Sequence, residues 1–291
     1  MTDLGGARVV VTGASTGIGA DTARAFADRG AHVVLLARSA DALQAVTADI
    51  RSTGGRADWY AVDLADLDAV ADVSARILSE VGTVDVLVNN AGAGRWLAID
   101  ETEPAEALAM TMVPYVGAFA ITHHLVGPMI AQGSGTIVTI TSPAALMPFP
   151  GSAAYSIARA AMRELHRALR ADLRGTGVRS TLVIAAEVES QYWDHNPGAR
   201  QRVPGISALI GTLSTGDTAR AIVSAVERDR AEVVIPSRLA AVRGIHRLVP
   251  GVVEELVART GWRRGAQPSA ESGAAGPGST GTGTQPSAER G

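Results

Sequence analysis

Seven short, mostly apolar runs recur along the chain, at 8–12, 31–37, 57–63, 84–89, 136–141, 178–184 and 232–236. Between them lie longer segments with helical spacing, at 17–29, 40–53, 67–81, 104–131, 153–174 and 218–228, the last introduced by Thr215 and Asp217 as candidate caps. Strands that are apolar throughout bury both faces, and a parallel pair needs a crossover, which the intervening helices supply. The alternation therefore predicts an α/β fold: a doubly wound parallel sheet flanked by helices on both faces.

With 291 residues, 46% of them hydrophobic, the chain can bury a full core, and folds of this class often form one domain at this length. We read a single domain over 1–264. From Gly265 the composition turns to Gly, Ser, Pro and Thr, and a PSAE phrase occurs twice, so 265–291 is expected to be a disordered low-complexity tail. A net charge of −3, with 26 scattered Lys and Arg, offers no footprint for nucleic acid. The absence of cysteine excludes disulfides, thiolate nucleophiles and cysteine-held metals, and fits a reducing compartment. The first residues, MTDLGGARVVVTG, resemble neither a signal peptide nor a membrane span. A cytoplasmic protein with no membrane partner is the expectation.

The first run leads directly into Thr12-Gly13-Ala14-Ser15-Thr16-Gly17-Ile18-Gly19 and then into a helical segment. In that context a glycine turn becomes a phosphate cradle: Gly13 permits a tight turn, Gly17 lets a pyrophosphate approach the backbone, and Gly19 lets helix and strand pack closely. Asp63-Leu64 closes the third run, Asn89-Asn90-Ala91-Gly92 the fourth, and Tyr155 opens the helix after the fifth. All stand at strand carboxyl ends, where sheets of this kind bind ligands.

These motifs, TGxxxGxG, NNAG and a Ser followed by a Tyr, resemble the signature of the short-chain dehydrogenase/reductase family from about Gly6 to Pro236. The resemblance implies a Rossmann-type fold in which Gly13, Ser15, Thr16, Gly17, Ile18 and Gly19 hold the pyrophosphate of a nicotinamide dinucleotide. It further implies that Asp63 and Leu64 flank the adenine and that Asn90, Ala91 and Gly92 line the adenosine and ribose path. No metal is required. Arg38, followed by Ser39, stands at the end of the second run, where NAD-preferring sites carry a carboxylate; an arginine suits a 2′-phosphate, so NADP is expected, with NAD less favoured.

By the same resemblance Tyr155 is the acid/base and Ser142, thirteen residues earlier, holds the substrate oxygen. Three positions depart from the family pattern. The family's lysine four residues after the tyrosine is Arg159, which one helical turn still places on the tyrosine's face but which does not deprotonate or reproduce lysine's compact ribose contact. The family's helical asparagine corresponds by spacing to Pro114, which would keep a local helix distortion while losing the amide. Where the family commonly has Pro-Gly beside the nicotinamide, this chain reads Ala185-Ala186-Glu187-Val188, with Val188 carried over as a cofactor contact.

Between Glu187 and Asp217 lies the segment the family uses as a mobile lid, here bearing Tyr192, Trp193 and His195; Trp96, Met147 and Phe149 are expected to face it across a largely hydrophobic pocket. His195, a lone loop histidine, is left outside the catalytic set. The expected activity is NADP-dependent interconversion of a hydroxyl and a carbonyl on a small to medium apolar substrate. The altered centre keeps open a non-redox reaction such as dehydration, cyclisation or epimerisation, and also a catalytically silent nucleotide-binding protein. The segments 104–131 and 153–174 correspond to helices that pair between subunits in the family, which implies a homodimer or homotetramer.

Overall fold

In a computed structural model, residues 2–92, 94–194 and 196–265 are described; His195 and all of the expected tail after Gly265 lie outside them. The strands are β1 (Arg8–Thr12), β2 (His32–Ala37), β3 (Arg56–Ala61), β4 (Val86–Asn89), β5 (Gly135–Thr141), β6 (Val178–Ala185), β7 (Val188–Glu189), β8 (Leu213–Ser214) and β9 (Glu232–Ile235). Seven form one parallel sheet in the order β3-β2-β1-β4-β5-β6-β9, while β7 and β8 make a small parallel pair beside it. The helices are α1 (Gly17–Ala27), α2 (Ala40–Ser52), α3 (Leu67–Glu80), α4 (Pro104–Thr111), α5 (Ala118–Gln132), α6 (Ala153–Asp172), α7 (Thr215–Glu227), α8 (Ser237–Leu248) and α9 (Pro250–Thr260).

Both sheet faces are dry, as the apolar runs require. Alternate residues of one strand go to opposite layers. Val9 and Val11 of β1 join Val33 and Leu35 of β2 beneath α1, α2 and α7, where Phe26, Leu43 and Ile222 fill the layer. Val10, Val34 and Leu36 point the other way, to Val73, Ile77, Ile121, Leu125 and Met129 of α3 and α5. The chain winds outward from β1 in one direction to β2 and β3, then returns to place β4 on the other side of β1. Crossovers that diverge there leave a crevice at the carboxyl ends of β1 and β4, the place where such sheets take ligands.

The fold departs from the expected elements at several points. Strand β3 stops at Ala61, so Asp63 and Leu64 belong to the turn beyond it, where the Asp63 carboxylate accepts the Ala65 N–H (3.0 Å). The single helix expected over 104–131 is divided: a π-helical turn, Met112–Gly117, separates α4 from α5, with Pro114 buried inside it. Proline has no N–H to give to an α-helical ladder, and widened turns accommodate that loss. Gly117 ends the distortion where a Cβ would stand 2.7 Å from the Leu64 carbonyl oxygen. Taken together, Pro104–Gln132 is long and apolar enough to cross a membrane by length and composition, with a mean hydropathy of 1.3; Ile121, Leu125 and Met129 on it are buried under the sheet. Ser214, not Thr215 or Asp217, caps α7, accepting the Asp217 N–H at 2.9 Å. The helices α8 and α9 were not expected: Leu239 is the one buried residue of α8, and Val253 and Val257 those of α9, too sparse an apolar pattern to announce a helix.

Helix α6, which carries Tyr155 and Arg159, is tied to β6 by His166, whose Nδ1 lies 2.9 Å from the Ser180 hydroxyl. Burial, with the nearby Arg170 cation adding to it, pulls the His166 pKa from 6.5 to about 4. The unfolded chain therefore takes up a proton between those values that the folded chain refuses, so stability is intact above about pH 6.5 and is lost as pH falls toward 4. Fully developed, the loss is on the order of 3 kcal/mol. His166→Gln should flatten that part of the curve, read as melting temperature from about pH 7 down to about pH 4 against wild type; parallel curves would remove His166 as the titrating group.

Candidate functional site

The glycine turn lies at the carboxyl end of β1 and is held by its neighbour β4. Thr12 Oγ1 donates to the Val88 carbonyl (3.2 Å) and accepts from the N–H groups of Asn90 (3.1 Å) and Ala91 (3.0 Å). The Asn90 amide turns back to donate to the Thr12 and Gly13 carbonyls at 3.0 and 3.4 Å. Asn90 thus shapes the turn with its side chain. A Cβ on Gly19 would stand 2.1 Å from the Gly13 oxygen and one on Gly13 2.9 Å from Ala91 Cα, so neither position admits a side chain. Gly13 and Gly17 also adopt left-handed backbone, at φ 67° and 57°. No side chain caps the start of α1, where Thr16 is the N-cap, so its first N–H groups face the crevice unclaimed by a cap. Ser190, in the turn after β7, comes within 3.6 Å of where a Cβ on Gly17 would be.

Arg38 and Ser39 are exposed at the end of β2, and Ser39 caps α2 through the Ala42 N–H. Leu64 is buried beside the turn and Asp63 is exposed. Val188 is buried, and its carbonyl accepts the Trp193 indole N–H at 3.0 Å.

Tyr155 and Arg159 stand one turn apart on α6, and the guanidinium carbon lies 4.8 Å from the centre of the tyrosine ring. Arg159 is only 9% exposed, and its Nε has no hydrogen-bond partner among the described residues. Its terminal nitrogens press on Gly92, where a Cβ would sit 2.8 and 2.9 Å from them. The Arg159 carbonyl accepts from the Thr141 hydroxyl (2.9 Å), which fixes the helix against the end of β5. Ser142 follows directly on β5 and is half-buried; its Oγ accepts the Ala144 N–H at 3.2 Å and keeps a proton to donate. Ala185, the last residue of β6, is buried, and Glu187, beyond it, is half-buried. Burial raises the Glu187 pKa, the Arg200 guanidinium 3.7 Å away opposes the rise, and Glu189 adds to it.

Over Tyr155 the lid is closed. Trp96 packs on it with ring centres 5.2 Å apart, and Phe149 and Trp193 stand 5.7 and 6.4 Å from Trp96. The Tyr192 hydroxyl donates to the Gly94 carbonyl (2.7 Å) and accepts the Trp96 indole N–H (3.1 Å). Burial pushes its pKa far above the phenol range. Tyr155 is left 8% exposed. Where an open pocket was expected, the facing aromatic rings fill the space themselves. Met147 lies outside the Trp96 ring cluster; it is buried with Val253 and Val257 of α9, with Phe149 and with Ile206 of the lid segment packed against them.

Residues 7–199 match the family described as short chain dehydrogenase. The chain belongs to that family. It is 36% identical over 190 residues to a short chain dehydrogenase of Pseudocercospora fijiensis, covering 65% of this chain and 62% of that one. It is 32% identical over 260 residues to EphD of Mycobacterium tuberculosis, an oxidoreductase by name, covering 85% of this chain but 44% of that one. The chain thus spans 62% and 44% of the length of these curated relatives. A metagenomic short-chain oxidoreductase solved in complex with NADP superposes with a TM-score of 0.67 at 32% identity, over 80% of this chain and 98% of that one.

In this chain the glycine turn, Asn90 to Gly92 and Ser142 stand at the ends of β1, β4 and β5, Tyr155 and Arg159 on α6, Val188 after β6, and Arg38, Ser39, Asp63 and Leu64 beyond the ends of β2 and β3. Thr12, Gly94 and Ser190 were missed. Thr12 had a signal, since a hydroxyl at the last residue of a strand before a glycine turn can bond the neighbouring strand's end; Gly94 and Ser190 act through loop geometry that no spacing reveals. The lid's closure depends on the Tyr192 hydroxyl. Tyr192→Phe leaves the Gly94 carbonyl and the Trp96 N–H without that partner, a loss of about 1–3 kcal/mol. Limited proteolysis should cut the 186–213 segment faster in the variant, with a lower melting temperature; equal rates would mean that other contacts hold the lid.

Proposed function

We propose that this chain is an NADP-dependent oxidoreductase that interconverts a hydroxyl and a carbonyl on a small to medium apolar substrate. The observation that carries the reading is the Tyr155–Arg159 pair, with the guanidinium 4.8 Å from the tyrosine ring and against Gly92, two residues beyond the Asn90 that bonds the glycine turn. The cradle fits a dinucleotide: two glycines have no room for a Cβ, and the start of α1 is left without a side-chain cap, as an anion site there requires. On this reading Gly13 to Gly19 hold the pyrophosphate, Leu64 and Asp63 flank the adenine, and Val188 borders the nicotinamide. When bound, the nicotinamide supplies or takes the hydride at the carbonyl carbon.

The chain's own residues manage the proton. Tyr155 donates it to the substrate oxygen as the carbonyl becomes an alcohol, and Ser142 holds that oxygen with its remaining proton. Arg159 places a permanent positive charge against the tyrosine ring, 4.8 Å from its centre. The guanidinium does not deprotonate, so it is not a relay. Exposed apolar side chains on the helices that pair in the family, Leu108, Phe119, Ile130 and Ile157, support a homodimer or homotetramer.

Preference for NADP rests on Arg38, exposed at the end of β2 with no carboxylate beside it on that strand end, and is supported by the NADP bound to the metagenomic relative. By calorimetry NADP should bind more tightly than NAD, and Arg38→Ala should remove the difference. Equal affinities in the wild type would withdraw this role.

Turnover separates charge from relay at Arg159. Over a panel of carbonyl compounds, Tyr155→Phe should lose about 10²–10⁴-fold in NADPH oxidation. Arg159→Met should fall with it, whereas Arg159→Lys should keep or raise the rate, since charge alone is needed. Mass spectrometry of the same mixtures tests the reaction class: product formed while NADPH stays constant would replace reduction with non-redox chemistry.

A further inference from the structure

The chain has three phenylalanines, four tryptophans and four tyrosines, and five of these rings, Trp96, Phe149, Tyr155, Tyr192 and Trp193, meet in one cluster. Trp96 is at its centre, in contact distance of Tyr155, Phe149 and Trp193 and bonded through its indole N–H to Tyr192. Tyr192 and Trp193 pack edge to face at 83° and belong to the lid, whereas Trp96 and Phe149 belong to the loops after β4 and β5. With Tyr155 8% exposed, and the rings of Trp193 and Tyr192 packed 6.4 and 6.5 Å from those of Trp96 and Tyr155, a ring-sized substrate entering the cluster displaces these two lid rings.

What displaces them has to replace what it removes. Aromatic faces held at 5–6 Å gain from another planar ring through stacking and edge contacts, and gain less from a puckered aliphatic ring of equal size. Charge selects as well. Among the described residues Arg200 is paired with Glu187, Glu189 and the face of Trp193, and Arg202 with Glu101 and the face of Trp262; Arg159, which has no carboxylate partner among them, lies against the Tyr155 ring and Gly92. A substrate carboxylate there would be desolvated, with Arg200 and Arg202 already holding carboxylates of the chain.

We infer that Trp96, with Phe149, forms a slot that selects neutral, planar aromatic carbonyl compounds, and that Trp96 is the residue that sets this specificity. The inference rests on the carbonyl-reducing reading above and narrows its substrate class.

Acetophenone, cyclohexyl methyl ketone and 4-acetylbenzoate share one skeleton and differ in planarity or charge. NADPH-dependent kcat/KM is measured for the three with wild type, Trp96→Leu and Phe149→Leu. Saturation-transfer NMR competition between them is run with oxidised nucleotide, where no ketone turns over. Acetophenone should exceed each of the others by about tenfold in both readouts. Trp96→Leu should bring the acetophenone to cyclohexyl ratio toward one, however the absolute rates move. If that variant does not fold, Phe149→Leu should lower the ratio in part. Equal handling of the two uncharged ketones, a ratio unchanged in the folded variants, or no saturation transfer to any ketone overturns the inference. Aromatic preference in the NMR without NADPH oxidation would keep the slot and remove the reduction reading; turnover without aromatic preference would do the reverse.

Discussion

The approach of α1 to the end of β1 governs the rest of the molecule. With the Gly13 oxygen 2.1 Å from where a Gly19 Cβ would stand, strand and helix touch through backbone alone. Only then do the first N–H groups of α1 open onto the crevice between β1 and β4. Thr12 makes the same contact serve the neighbouring strand, since one hydroxyl bonds the backbone of Val88, Asn90 and Ala91. Asn90 closes the loop by bonding back to the turn. The cradle and the end of β4 are therefore one unit, and the position of Gly92, against which Arg159 rests, follows from it.

The sheet was legible in the sequence because a strand buried on both faces has little freedom of composition: apart from Arg8 and His32 at their starts, RVVVT, HVVLLA and GTIVTIT hold only aliphatic residues, glycine and threonine. The glycine turn was legible for the opposite reason, that it tolerates almost nothing else. Legibility failed where packing and not pattern decides. Helices α8 and α9 bury three residues between them and expose Ile245, Leu248, Val252 and Leu256, so their spacing resembled surface loop. The break at Met112–Gly117 was half-visible: Pro114 foretold a distortion, but the π-helical turn and its length depend on Gly117 meeting the Leu64 backbone. The site residues were found by motif, whereas the closed lid was not, because the Tyr192 bonds to Gly94 and Trp96 join loops 98 and 96 residues apart.

Two of the three departures from the family pattern lie on neighbouring elements, since the turn that holds Pro114 packs against α6, which carries Arg159. A guanidinium is larger than an ammonium, and here it fills the room over Gly92 and under Tyr155. Its Nε is buried with no acceptor among the described residues, a loss partly offset by the aromatic face and by charge that is never given up. Pro114 retains the helix distortion where the family has an amide, and it brings no side-chain donor or acceptor to the space beside α6. A route that moves protons inward through lysine and asparagine side chains has no counterpart in these two residues.

On the proposed chemistry that loss bears on the lid. Tyr155, 8% exposed under Trp96 and Tyr192, has no titratable neighbour on its own helix face from which to regain a proton, because Arg159 keeps its own. Water reaches the phenol when the aromatic lid lifts, so one movement serves product release and reprotonation together. Opening breaks the Tyr192 bond to Gly94 and the ring contacts on Trp96, each individually modest. The segment that closes over the substrate is then also the one that sets how often the acid is restored. A tighter lid would improve discrimination and slow the cycle, the exchange expected where a conformational step limits turnover.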